Sequence, residues 1–287
     1  MREARDIGLR LGLGRSTGVA MNNLADSMSQ FESLPAARAV WDEAIEFSRA
    51  RGLTYTGIWA RGERLLALYH AGDWEDLERE ADEVLRWVEE HGGGQLEVFA
   101  HLWLAEALVH RGSLASAGAH VAALLPRARE SGDPQVVVPG LATAALVASA
   151  QMEVATAREY VAELESITRD GGPTWRSLCL AWPVRIAAAV GELELAAAFL
   201  DGSEHASAWD GCARSGALAI LAEARGRLDE AAPLYRDASE RWDEYGSVVE
   251  QAYALLGLGR CGHAKALREG QAIFAGLGAS PVVAQAA

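Results

Sequence analysis

The chain has 287 residues, half of them apolar and 23% charged, with a formal net charge of -14 and a pI near 5.0. That length permits a sizeable core in one large domain or two small ones, while the acidic balance excludes a surface that displaces counterions from DNA or RNA, which needs clustered Lys and Arg. Cys179, Cys212 and Cys261 lie more than thirty residues apart, which excludes a paired zinc knuckle or a disulfide framework.

In chain order, Met1-Arg2-Glu3-Ala4-Arg5-Asp6 is charged and leads into no apolar run. It does not resemble a secretory signal, so a cytoplasmic location is expected. Residues 1–14 read as the tail of a second helix whose own first helix is absent. From there a spacer repeats. Glu32, Gly72, Gly112, Met152, Gly191, Gly226 and Gly262 each stand where a turn leads into a second helix, at steps of 40, 40, 40, 39, 35 and 36 residues. A period in that range marks stacked helical hairpins, each burying its apolar face against its neighbours. Ala supplies about a fifth of the residues, and no window alternates with the period of a strand, so propensity favours helix throughout. Pro134 to Met152 carries no charge. It falls in phase with the repeat and contains Pro139 and Gly140, which reads as a buried first helix and not a membrane span.

The clearest unit runs from Gly226 to Ala238. Its glycine closes a first helix, and Ala231, Tyr235 and Ala238 share a face of the second by their spacing of four and three. If Asp229 caps that helix, Pro233 falls in its first turn. The same small-large-small stripe recurs as Ala37, Trp41, Ala44, as Leu77, Ala81, Val84, as Ala117, Val121, Leu124, as Ala157, Val161, Leu164, and as Ala196, Leu200, Ser203. Helix ends are marked by Gly52, Gly92-Gly93-Gly94, Gly132-Asp133-Pro134, Gly171-Gly172-Pro173 and Gly246. The fold class expected is all-α, a solenoid of about seven antiparallel helix pairs over 1–287. Its units lie near 15–52, 53–92, 93–132, 133–171, 172–208, 209–246 and 247–278.

The Gly, Ala, aromatic, Ala pattern of Gly226 to Ala238, with Leu218-Ala219 before the glycine, resembles the tetratricopeptide repeat. Units longer than that family's usual 34 residues are similar to the C-terminal arms of large bacterial signalling ATPases, among them LuxR-type transcriptional regulators and cyclase-linked ATPases. Ala252-Tyr-Ala-Leu-Leu-Gly-Leu-Gly-Arg-Cys261, followed by Ala272 to Ala279, resembles the way such arms end. The resemblance implies an open, right-handed TPR-like superhelix acting as a non-catalytic scaffold in signal transduction. Its partners would be a protein or peptide, or a small polar metabolite, together with a flanking effector domain. Nucleic acid and membrane are not expected partners of this segment, and no cofactor or metal is implied. Both ends look cut, residues 281–287 beginning a further helix, as in a fragment of a longer protein.

Several motifs tempt a different reading. Gly257-Leu-Gly259-Arg-Cys-Gly262 matches a dinucleotide fingerprint by letter but lies inside a helical repeat, where the glycines allow close helix packing. Gly12 to Thr17 echoes a phosphate loop, with Leu9 and Arg15 in the places of its first glycine and its lysine. Glu97 with His101, and Glu106 with His110, are pairs four apart on one helix, short of the three ligands a metal needs. The acidic run from Asp73 to Glu83 reads as a solvated helix face.

Among the nine tryptophans, Trp59, Trp103, Trp175 and Trp182 fall on first helices, which line the concave groove of tetratricopeptide arrays, whereas Trp41, Trp74, Trp87 and Trp242 belong to second helices. Projecting groove positions onto the units selects Asn22, Asp26, Gln30, Trp59, Tyr69, His70, Glu106, His110, Arg185 and Glu223 as candidate ligand-facing residues. Aromatic rims with convergent polar groups suit a peptide or a polar metabolite. The alternative is a catalytic α/α toroid acting on a carbohydrate, which would explain the tryptophans but requires two positioned carboxylates.

Overall fold

The computed structural model describes residues 1–171, 173–201, 203 and 207–280, and among these it contains α-helices and turns and no strand. Helix α1 (Arg2–Leu11) precedes seven units, each made of a first and a second helix. They are α2 (Gly14–Phe31) with α3 (Leu34–Ala50), α4 (Thr54–Ala71) with α5 (Trp74–His91), α6 (Gln95–His110) with α7 (Leu114–Ser131), and α8 (Pro134–Ala150) with α9 (Val154–Gly171). In the fifth unit a divided first helix, α10 (Pro173–Leu178) and α11 (Ala181–Ala189), pairs with α12 (Leu193–Leu200). The last two are α13 (Ala208–Ala224) with α14 (Leu228–Tyr245), and α15 (Val248–Arg260) with α16 (Ala264–Gly276). Consecutive helices pack as antiparallel pairs, and successive first helices touch one another, so the all-α repeat fold expected from the period is the fold present.

The repeating turn has a definite chemistry. Gly72, Gly112, Gly191, Gly226 and Gly262 all take left-handed backbone, with φ between +73° and +97°. In each case the next amide returns to the carbonyl five residues back, as in Asp73 N–H to Leu68 O at 2.9 Å and Arg227 N–H to Ala222 O at 2.9 Å. This satisfies a carbonyl that the end of a helix would otherwise leave bare. Met152 fills the same slot at φ +63°, the one non-glycine residue with positive φ among those described. Glu32 does not: its φ is -120°, and the first unit instead turns through Ser33, whose hydroxyl accepts from the Ala36 amide at 3.4 Å to cap α3.

The stripes of the second helices are the core. Ala37, Trp41 and Ala44 are wholly buried, as are Leu77, Ala81 and Val84, and Ala157, Val161 and Leu164. Two local expectations need correction. Helix α14 begins at Leu228, so Pro233 lies beyond the first turn and removes an intrahelical donor. Glu80, inside the acidic run read as solvated, is buried and ion-paired to Arg64, which also bridges to Asp42. In the fifth unit the first helix breaks at Cys179 and Leu180. Pro183 has no N–H to offer the Cys179 carbonyl, which takes the Trp182 amide instead at 3.2 Å. The boundary glycine Gly172 and residues 281–287 lie outside the described residues.

The largest departure from expectation is closure. An open superhelix keeps its concave face free, but here the array turns so tightly that α13 packs on α2 and α15 packs on α4. The sixth unit thus meets the first, and the seventh meets the second. Across this seam the Tyr245 hydroxyl donates to the Ser29 carbonyl, His70 Nδ1 and Ser247 Oγ lie 2.9 Å apart, and the Ser280 amide donates to the His110 carbonyl at 2.7 Å. Pro35 sits against Gly246 and Leu277 against Gly72, each where a Cβ on the glycine would collide. Among the described residues, no helix is long and apolar enough to cross a membrane.

Candidate functional site

Closure divides the inner face into a filled part and an open part. The open part is a chamber of about 340 Å³, near the lower end of the range of roughly 300–1,000 Å³ usual for small-molecule sites. Helical spacing assembles its walls. Asn22, Asp26 and Gln30 recur every four residues along α2, Trp59, Glu63 and Leu66 follow one face of α4, and Gln95, Phe99, Leu102 and Trp103 follow one face of α6. Helix α8 adds Gln135, Val138 and Pro139, the divided helix adds Trp175, Cys179 and Trp182, and α13 adds Trp209.

Burial gives the chamber a floor and a mouth. Asn22, Trp103, Cys179, Trp182 and Trp209 are buried, Trp59, Glu63, Gln95 and Trp175 are half-buried, and Asn23, Asp26 and Gln135 are exposed at the rim. Five of the nine tryptophans line it, and among the described residues they are joined by five carboxamides and two carboxyls and by no Lys, Arg or His. Burial, with the charge of Asp26 adding to it, pushes the Glu63 carboxyl up to about 8, against the pull of a hydrogen bond from Trp59. Asp26 is also raised by loss of solvent, partly offset by Gln30, whose Nε2 donates to it at 3.3 Å. At neutral pH Glu63 therefore holds its proton. Two atoms on lining residues, the Asn22 carbonyl oxygen Oδ1 and the Trp209 indole N–H, are closed to solvent and have no hydrogen-bond partner among the described residues.

The filled part is a buried polar core beside the chamber. Glu250 of α15 accepts from Trp182 Nε1 at 3.0 Å and from Arg185 at 2.7 Å, and the Arg185 guanidinium lies 3.8 Å over the Tyr253 ring. Burial alone would raise Glu250, but Arg185 outweighs it and holds the carboxyl below its usual range. Tyr69 Oη lies 2.8 Å from His110 Nε2 and Tyr253 Oη lies 3.3 Å from His110 Nδ1, contacts that a neutral ring protonated on Nδ1 satisfies together. Burial pushes His110 down to about 3 and His70 down to about 4. Glu106 accepts from the Thr143 hydroxyl at 2.7 Å, and burial pushes its carboxyl up to about 8.

The ten residues selected from sequence thus fall in three places. Asn22, Asp26, Gln30 and Trp59 line the chamber. Tyr69, His70, Glu106 and His110 do not face an open groove: all four are buried where α4 and α6 meet α15, because closure brings a seventh unit onto positions that an open array leaves free. Arg185 reaches the same core and stands between it and a separate crevice. Glu223 lies in that crevice, paired with Arg260 and accepting from the Tyr235 hydroxyl. All four tryptophans assigned to first helices line the chamber, whereas none of the four assigned to second helices does. Sequence reasoning missed Glu63, Gln95 and Trp209. Glu63 was legible, since it stands four residues after Trp59 on the same helix face.

Elsewhere, Glu97 pairs with Arg127 at 2.8 Å and His101 Nδ1 meets His120 Nδ1 at 2.8 Å, so neither reaches its intrahelical neighbour for a shared ion. No group of three or more potential metal ligands converges among the described residues. Gly257, in the stretch resembling a dinucleotide fingerprint, faces the Tyr235 ring at a distance that leaves no space for a Cβ, so it serves the packing of α15 on α14. Compared with known proteins, the chain matches no family model and no curated protein.

Proposed function

We propose that this chain is a non-catalytic sensing arm, a helical-repeat domain that binds a small polar molecule with a flat apolar face. It would report that binding to a linked effector, as in the bacterial signalling and transcription-regulatory proteins its repeat resembles. The observation that carries this reading is the make-up of the chamber. Its walls come from first helices of six of the seven units, so one ligand touches the early units at Asn22 and Asp26 and the late units at Trp209 at the same time. A ligand that bridges two regions held together by a polar seam binds the closed arrangement better than any opened one, and shifts the population towards it. Neighbour-only contacts in a repeat array make such opening inexpensive elsewhere along the chain. The closed inner face argues against a peptide or protein lying along the groove, since the seventh unit already occupies the part beside Tyr69 and His110.

The test is thermal unfolding and small-angle scattering of the chain with and without a metabolite panel. A ligand of the native state raises the melting temperature by mass action. The reading expects a saturable rise that disappears in Trp59→Ala, with a smaller radius of gyration on binding. Rises that survive that substitution would remove the chamber from the account.

Carbohydrate hydrolysis is the second reading, favoured by two carboxyls in a chamber of tryptophans. Asp26 and Glu63 stand on neighbouring helices and act on each other's charge, whereas glycosidases place their carboxyls on either side of the scissile bond. Release of reducing sugar from any bound saccharide, lost in Glu63→Gln, would favour the enzyme.

A further inference from the structure

We propose that the ligand of the chamber is a small neutral saccharide, stacked on the tryptophans and held by hydrogen bonds to the carboxamides and the two carboxyls. This rests on the chamber being a binding site at all and adds the chemical class of its occupant.

The argument is a balance of donors and acceptors. Each of the five lining carboxamides, Asn22, Asn23, Gln30, Gln95 and Gln135, offers an N–H₂ donor and a carbonyl acceptor side by side. An ammonium ion only donates, and would leave the amide N–H₂ groups of the lining without an acceptor. A carboxylate or phosphate only accepts. It would meet Asp26 with no Lys, Arg or His among the described lining residues to offset the charge. A hydroxyl donates and accepts at once, and a ring carrying several matches the alternating wall.

The tryptophans make the complementary demand. Trp103 lies 6.2 Å from Trp182 between ring centroids at 68°, and both are floor residues, so the floor presents an edge and a face in close succession. A saccharide has an apolar face of C–H groups, which aromatic rings cover, and a polar rim, which the carboxamides reach. The protonation of the acid pair fits as well. Glu63, pushed up to about 8, supplies an O–H donor beside the Asp26 acceptor, and a vicinal pair of hydroxyls can bridge them without bringing new charge. The volume of about 340 Å³ and an exposed rim on one side suit a mono- or disaccharide, with longer chains leaving through the mouth.

The experiment is calorimetric titration of the full chain with glucose, galactose, cellobiose, lactose and trehalose, and in parallel with phenethylamine as the cation and phenylacetate as the anion. At least one saccharide is expected to bind, with Kd weakened about tenfold or more in Trp59→Ala and in Glu63→Gln. Both residues are half-buried, and Gln135→Ala at the exposed rim gives a third variant that leaves the core untouched. Binding by none of the saccharides up to about 50 mM, well above the millimolar Kd of a weak site, overturns the proposal. So does saccharide binding that persists unchanged in all three variants. If phenethylamine or phenylacetate binds instead and is lost in Trp59→Ala, the saccharide assignment fails while the chamber stands as the sensing site. If none of the seven compounds binds, the saccharide assignment falls with no support left for the chamber from this panel.

Discussion

The chamber and the polar core beside it are made from the same surface of the repeat, the inner faces of the first helices, yet one is open and rich in tryptophan and the other is closed and buried. Trp59 and Glu63 lie two to three turns before Tyr69 and His70 on the same helix, α4. At the latter level the end of α14 and the start of α15 arrive from the other side of the array and supply partners for its polar groups: Ser247 for His70 and Tyr253 for His110, while Glu250 takes Arg185 and Trp182. At the former level α13 meets α2 and brings Trp209 to the wall, but the space between the helices stays open. Whether an inner-face residue becomes core or site depends on which level of the superhelix the returning units meet. Its type and its place in the repeat do not decide it.

The comparison breaks most severely at Glu250. Its carboxylate is buried and neutralises Arg185, and truncating one partner of such a pair leaves the other charge stranded. Glu250→Ala should lower the stability of the chain by about 3–5 kcal/mol, read as a fall in the urea midpoint. The pair joins α15 to α11 and so sets where α15 meets α4, and the same variant should scatter as a larger particle. An unchanged radius of gyration would mean that closure does not depend on this pair.

Stability against pH separates the same groups. His70 and His110 are held neutral by burial, down to about 4 and about 3, so between those values and about 6.5 the unfolded chain binds more protons, and stability rises with pH. Glu106 has the opposite sign. Its folded value of about 8 lies above its unfolded value, so the folded state keeps a proton that the unfolded state releases above about 4.5, and stability falls with pH until about 8. The groups facing Glu106 are Thr143, Tyr69, Glu250 and Arg185. Stability should therefore peak near pH 6.5. Glu106→Gln, which keeps the acceptor for Thr143, should flatten the alkaline limb by up to about 1.4 kcal/mol per pH unit. Melting curves from pH 5 to 9 on both proteins check it, and parallel limbs would mean that Glu106 titrates in the folded state much as it does in the unfolded chain.

The chamber has its own, smaller pH response. Among the described residues its titratable groups are Glu63, Asp26 and Cys179, and burial pushes the thiol of the last up to about 12, out of the working range. As pH rises through about 8, Glu63 loses its proton beside Asp26, so a neutral ligand must cover two like charges and loses a donor. Saccharide affinity should fall severalfold between pH 7 and 9, with the fall absent in Glu63→Gln. A cationic ligand would gain affinity over the same interval, so the sign of the slope reports the ligand's charge independently of its identity.

What the sequence discloses and what it conceals follow the same division. The turns are legible because each is local: a left-handed residue followed by a backbone return satisfies one helix end, and the repeat writes glycine there five times. The stripes are legible because a second helix meets only its neighbours. Closure is not, because it accumulates from small rotations between successive units that no single unit encodes, and with it goes the separation of Asn22, Asp26, Gln30 and Trp59 from Tyr69, His70, Glu106 and His110. The charge-free run from Pro134 to Met152 gives no sign of closure: α8 is buried over most of its surface, but by α6, α7, α9 and the divided helix of the units beside it.

Met152 offers a control that touches neither region. It holds the turn slot of the fourth unit at φ +63° with its side chain 80% exposed, so it contributes backbone strain and little packing. A non-glycine residue in left-handed backbone costs about 1–2 kcal/mol, and glycine gives back about 1 kcal/mol through the greater freedom of the unfolded chain. Met152→Gly should accordingly stabilise the chain by up to about 1 kcal/mol, with ligand affinity and radius of gyration unchanged. If it altered ligand affinity, strain in a turn on the outer wall would be coupled to the chamber. The sharp division between a seam that sets shape and a chamber that sets recognition would then give way to a mechanically continuous array.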